Sequence, residues 1–143
     1  MPNQTETTWQ QAKLLPKFYE KSALGASGLG NKFTIAEFGL GYGFIDDSTE
    51  PPTIKEIPDD TDKVPDEWWR QELSPDDFIY TDGRLLIRMT PNDRVDDAKK
   101  FSVTGLYDQD GDLVAISVEL PDYVTPSEAL HLNGYIAFLP EAA

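Results

Sequence analysis

Phe101-Ser102-Val103-Thr104-Gly105-Leu106-Tyr107 and Leu113-Val114-Ala115-Ile116-Ser117-Val118-Glu119-Leu120 are two apolar, β-branched runs, and Asp108-Gln109-Asp110-Gly111-Asp112 separates them. Two such runs around a short turn with Asp-Gly at its centre read as a β-hairpin. Strand side chains alternate, so Val114, Ile116 and Val118 are expected on one face and Leu113, Ala115 and Ser117 on the other. Asp108, Asp110 and Asp112 also have the i, i+2, i+4 spacing of a calcium loop, with Glu119 at its twelfth position. That loop needs Gly at its sixth position for a sharp bend, and Leu113 stands there. A hairpin turn is therefore expected, and no metal site.

Outward from this hairpin the second half of the chain is mostly strand. Residues 78–80, the turn Thr81-Asp82-Gly83 and residues 84–89 form a second expected hairpin. Its Leu85, Ile87 and Met89 share a face, and Arg84, Leu86 and Arg88 the other. Residues 91–100 are a polar connection, 121–126 an extended stretch, and 135–139 the last strand.

Toward the N-terminus, residues 1–6 are expected to fray. Thr7 or Thr8 caps a short expected helix carrying Trp9, Ala12 and Leu15 on one stripe. Pro16 cannot continue that helix but suits the first turn of another, running to about Leu24. Residues 32–38 read as a strand and lead into Gly39-Leu40-Gly41-Tyr42-Gly43-Phe44. Residues 46–67 then form a long irregular segment with nine Asp or Glu and four Pro (Pro51, Pro52, Pro58, Pro65). So long a loop within a small domain points to function or disorder. Trp68 and Trp69 follow it. On a strand they point to opposite faces, so one can enter the core while the other meets a partner; a place in the core for both is the alternative.

The fold class expected is α+β, mainly antiparallel β and sandwich-like, with one or two short N-terminal helices and the long acidic loop. Its 143 residues fit one domain. A formal net charge of −14 and a pI near 4.2 repel phosphate backbones and anionic lipids, so neither nucleic acid nor membrane is an expected partner. No cysteine is present, which excludes disulfides and thiolate chemistry. No apolar run approaches the length of a membrane span, and the start MPNQTETTWQ lacks the basic, apolar pattern of a secretory signal.

The Gly39, Gly41, Gly43 pattern lacks the following helix that a phosphate site requires, so the glycines are read as places of bending or close packing. His131 is the single histidine, with Ser127 nearby, but no Gly-x-Ser-x-Gly elbow exists. The paired acids Asp46-Asp47 and Asp59-Asp60 sit in a loop with no scaffold to separate their pKa values. No catalytic residue, cofactor or metal ligand is assigned, and the chain is not expected to be an enzyme.

Two segments carry a resemblance. Residues 33–43, Phe-Thr-Ile-Ala-Glu-Phe-Gly-Leu-Gly-Tyr-Gly, resemble a strand of phage tail-fibre (tail-collar) N-terminal domains that ends in a Gly-rich sequence. Residues 101–115 resemble the second signature of that family, a hairpin of the form Gly-Leu-Tyr-Asp-x-Asp-Gly-x-Leu-Ile-Ala. Residues 121–126, Pro-Asp-Tyr-Val-Thr-Pro, are similar to the stretch that follows it. The resemblance spans residues 17–139, although residues 46–101 do not align with the family pattern. It implies a structural virion protein, assembled in the host cytoplasm into the tail or baseplate. Such a protein attaches or forms the base of a tail fibre through contacts with other tail, baseplate or fibre proteins. It also implies a homo-oligomer, with a trimer favoured. Trp9, Tyr42, Phe44, Trp68 and Trp69 are the candidate interface residues. A fibre-assembly chaperone and a host-glycan-binding module are the alternatives, the latter because Trp68, Trp69 and Tyr42 can stack on sugars.

Overall fold

The computed structural model describes residues 10–126 and 132–138. The expected frayed end, Trp9, Ser127, His131 and Leu139 lie outside the described residues. The architecture is mainly antiparallel β with one helix. In chain order the elements are β1 (Gln10–Gln11), β2 (Lys13–Leu14), α1 (Pro16–Ser27), β3 (Ile35–Gly41), β4 (Ile45–Asp46), β5 (Thr53–Ile54), β6 (Trp69–Glu72), β7 (Phe78–Thr81), β8 (Arg84–Met89), β9 (Lys99–Asp108), β10 (Leu113–Val124) and β11 (Leu132–Ala137). They form a four-stranded sheet in the order β1-β11-β8-β7, a five-stranded sheet in the order β2-β10-β9-β3-β6, and the small pair β4-β5.

The first expected helix is not formed over residues 10–14. The chain is extended there and passes from one sheet to the other. β1 runs parallel to β11 and β2 antiparallel to β10, and the backbone N–H groups of Ala12 and Leu15 donate to Tyr135 and Val114. Sheet pairing thus outweighs the weak helical stripe of Ala12 and Leu15, both of which are buried in any case. Pro16 opens α1 as expected, since its fixed φ and missing N–H suit a first turn. Gly28, at φ 75, ends the helix in the left-handed conformation.

Both hairpins form. Asp82 and Gly83 have φ of 51° and 75°, and Thr81 pairs with Arg84. Two central residues at positive φ make the turn whose twist matches the strands. In the β9–β10 hairpin the expected alternation fails at one place. Leu113 pairs with Tyr107 but Ala115 pairs with Leu106, so Val114 is an extra residue in a bulge. Leu113 is therefore shifted onto the face of Ile116 and Val118, while Val114 and Ala115 join the opposite cluster. A second irregularity between Val118 and Asp122 lets β10 continue past Pro121 to Val124.

Residues of both sheets meet in one core cluster. Phe38, Leu40, Phe101 and Leu106 come from the five-stranded sheet, Ile87, Met89 and Ile136 from the four-stranded sheet, and Phe18 from α1. Each such side chain, fully buried, contributes about 1.5–3 kcal/mol relative to exposure. The other face of the five-stranded sheet carries a second cluster of Leu15, Val64, Val103, Tyr107, Leu113 and Ile116. β9 is consequently buried on both faces from Phe101 to Asp108.

That second cluster corrects the reading of residues 46–67 as one long irregular loop. The segment begins with the small β4-β5 pair, Ile45 opposite Ile54 and Asp46 opposite Thr53. It ends as a strap, residues 64–67, laid on the outer face of the five-stranded sheet. Val64 is 3% exposed, and Ile57 packs against the same cluster. Val64 and Ile57 hold the segment down.

Candidate interaction surface

The strap can lie on the sheet because the sheet lacks side chains beneath it. A Cβ on Gly41 would stand 2.2 Å from the Pro65 carbonyl oxygen, and one on Gly105 would stand 2.3 Å from Val64 Cγ2. A Cβ on Gly39 would meet the Glu67 carboxylate at 2.1 Å. Close approach of the strap accounts for these glycines. The Tyr42 N–H donates to the Pro65 carbonyl (3.0 Å), and the Trp68 N–H donates to the Leu40 carbonyl (2.9 Å).

Polar groups close the strap at its far end. The Tyr107 hydroxyl donates to Glu67 Oε2 (2.7 Å) and accepts the Val64 N–H (3.1 Å). The Arg70 guanidinium lies over the Tyr107 ring, 3.4 Å from its centroid, and pairs with Glu67 at 2.9 Å and Glu37 at 3.3 Å. Burial pushes the Tyr107 phenol up to about 12, with the Glu67 carboxylate adding to the effect and the Val64 N–H opposing it.

Four of the five candidate interface residues fall beside this strap, and Trp9 lies outside the described residues. Trp68 and Trp69 are both half-buried and both pack against the first core cluster. Their indole N–H groups are satisfied, Trp68 by the Lys100 carbonyl and Trp69 by the Gln71 side-chain oxygen, each at 3.0 Å. Tyr42 carries the Lys100 ammonium 4.4 Å from its ring centroid, so Tyr42 and Trp68 are drawn together at Lys100. Phe44 packs against the second cluster. Its φ of 58° costs a residue with a side chain roughly 1–2 kcal/mol, which that packing offsets. These residues share internal contacts with the sheet.

The turn with calcium-like spacing holds an ammonium. Lys21 of α1 bonds to Asp108, to Asp112 (2.6 Å) and to Asp110 (3.1 Å). The Asp108 side chain is wholly buried, and its other oxygen accepts the N–H groups of Asp110 (3.0 Å) and Asp112 (2.9 Å). Desolvation opposes the charge on Lys21, but the three carboxylates outweigh it and raise the ammonium above its usual value. Lys21 in turn holds the Asp112 carboxyl below the usual range. Among the described residues no group of three or more His, Cys, Asp or Glu is placed to hold a metal ion. Among them, too, no helix is long and apolar enough to cross a membrane.

Exposed apolar side chains also stand at two grooves that sequence reasoning missed. One, of about 390 Å3, runs between α1, the 32–35 segment and the β7–β8 hairpin, and Phe18, Phe33, Phe78 and Phe138 line it. Tyr19 and Tyr80, 60% and 64% exposed, extend its aromatic surface: Tyr19 lies edge-on to Phe18 and Tyr80 to Phe138. The other, of about 640 Å3, lies along the irregular part of β10, where Ile54, Leu120 and Tyr123 stand beside Glu119 and Asp122. Burial, and then the neighbouring Asp122 charge, raise the pKa of Glu119. One signal is present in the sequence, where Phe18 and Tyr19 follow one another directly on α1. Adjacent residues on a helix cannot share the centre of one face.

The chain matches no family model, no curated protein and no solved structure.

Proposed function

We propose that this chain is a non-catalytic docking domain of a bacteriophage tail, which attaches a tail fibre to the baseplate or forms the fibre's base. The observation that carries the reading is the hairpin of β9 and β10, whose sequence bears the more specific of the two resembling signatures. Its turn also anchors α1 through Lys21. The sandwich-like pairing of two sheets offers a stiff platform, and the two grooves expose aromatic and aliphatic side chains of the kind that anchor protein contacts. The protein would be assembled in the host cytoplasm and retained in the virion, with a trimer as the favoured state.

Purified phage particles test the reading. Labelling with an antibody to this chain, read by electron microscopy, is expected to mark the tail tip. A chain found in infected cells but missing from finished particles would instead be an assembly chaperone.

A host-glycan-binding module is the second reading, favoured by the exposed Tyr123 ring beside Glu119 and Asp122. An aromatic face with adjacent carboxylates suits a sugar. A glycan array without hits removes it.

A further inference from the structure

The two grooves differ in charge. Among the described residues lining the aromatic groove there is no carboxylate and one cation, Lys32, in a chain with 26 Asp and Glu against 12 Lys and Arg. Lys32 makes no ion pair among the described residues. The groove along β10 has the opposite character: among the described residues that line it, Glu119 and Asp122 are the charged ones and none is a cation. Asp122 has no ion pair among the described residues either. Both grooves expose large apolar side chains, Tyr80 and Phe138 (51%) at one and Leu120 (57%) and Tyr123 (59%) at the other. The two share no lining residue.

We infer that copies of this chain associate head to tail, the Lys32 groove of one copy receiving the Glu119–Asp122 surface of the next. A chain of charge −14 repels its own copies over most of its surface. Here an apolar groove whose one charge, among the described residues, is an ammonium without an ion pair meets an apolar surface carrying two carboxylates. Apolar burial supplies the attraction and the charges fix the register. Contact between two different patches is heterologous, so it closes into a ring of three or more copies, or runs on as a filament. The inference deepens the oligomeric part of the tail reading and rests on that reading only for the expectation that the ring is a trimer.

Light scattering coupled to size exclusion tests it on the full chain. The wild-type protein is expected to exceed a dimer at low ionic strength and to dissociate as salt rises, because the paired charges are screened. Lys32→Glu and Asp122→Lys are each expected to weaken association by about tenfold or more, which is about 1.4 kcal/mol. The double variant, which restores opposite charges across the contact, is expected to regain it. Both side chains are exposed, and circular dichroism checks that the variants fold; Lys32→Ser and Asp122→Asn replace any that does not. A wild-type monomer at every concentration, a two-fold dimer, single variants that associate like wild type, or a double variant that stays dissociated overturns the inference. None of these results bears on whether the chain is found in particles, which is how failure of the tail reading would be recognised.

Discussion

Tyr107 and Glu67 are joined by a 2.7 Å hydrogen bond that closes the 64–67 strap over the five-stranded sheet. The same phenol oxygen accepts the Val64 N–H, so one hydroxyl serves both ends of the strap. Tyr107→Phe leaves the Val64 N–H and the Glu67 carboxylate each short of a partner. A loss of about 1–3 kcal/mol is expected, measured by urea unfolding.

The same phenol sets an alkaline limit. Its folded pKa is raised from 10.0 to about 12, so the unfolded chain ionises first as pH rises. Stability from this group is complete below about pH 10 and is lost progressively between about pH 10 and 12. Melting temperatures of wild type should fall through that window, and those of Tyr107→Phe should lack this part of the fall.

Lys21 is expected to be the most costly surface cation to remove. Lys21→Met strands the buried Asp108 carboxylate beside Asp110 and Asp112, and breaking such a pair costs roughly 3–5 kcal/mol when fully buried. Lys21 keeps 17% of its side chain exposed, so a value at or below the lower end is expected. The Asp112 carboxyl is depressed by Lys21. Its contribution is therefore present above the ordinary Asp value of about 3.9 and lost as pH falls below it. Acid titration of wild type and of the variant, followed by circular dichroism, separates this contribution from the other carboxylates.

Glu119→Gln is expected to stabilise the chain. The folded state raises the Glu119 pKa through burial and the Asp122 charge, so keeping it ionised costs the folded chain more than the unfolded one. A neutral side chain of the same shape should raise stability at pH 7. The gain should vanish as the pH falls and Glu119 itself is protonated. Differential scanning calorimetry at both pH values checks it.

Gly41→Ala probes the strap from below. Its Cβ would stand 2.2 Å from the Pro65 carbonyl oxygen and 2.6 Å from Val64 Cγ1, and a backbone oxygen cannot swing aside as a side chain does. The strap is expected to lift, with a loss of at least about 1–3 kcal/mol as for other overpacked sites. Limited proteolysis within residues 55–66 should be faster than in wild type, while the β7–β8 hairpin stays protected.

The hairpins were legible because their signals are local. Asp82-Gly83 and the turn at 108–112 declare themselves within a few residues, and Pro16 fixes the start of α1. What was not legible depends on partners far away in the chain. Residues 10–14 hold too weak a helical stripe to resist pairing with β10 and β11. The bulge at Val114 leaves no mark in a run where nearly every residue is apolar, so simple alternation puts Leu113 on the wrong face. Val64 and Ile57 looked like stray apolar residues in an acidic loop, because the glycines that receive the strap lie in β3 and β9. At the surface, Trp68 and Trp69 drew notice by residue type, yet both pack against the core. Lys32 and Asp122, the charges that distinguish the two grooves, are ordinary in composition and acquire meaning only from what surrounds them.

The glycines beneath the strap also limit how such a chain can diverge. Residues 39, 41 and 105 and the strap at 64–67 meet with no space for a methyl group between them, so neither side can be altered alone. A descendant carrying a side chain at 41 would need a rerouted strap in the same step or soon after. The acids exposed at 59, 60 and 62, facing solvent, are under no such constraint. Inheritance should therefore link two stretches far apart in sequence as a single unit, while the residues just before the strap drift freely.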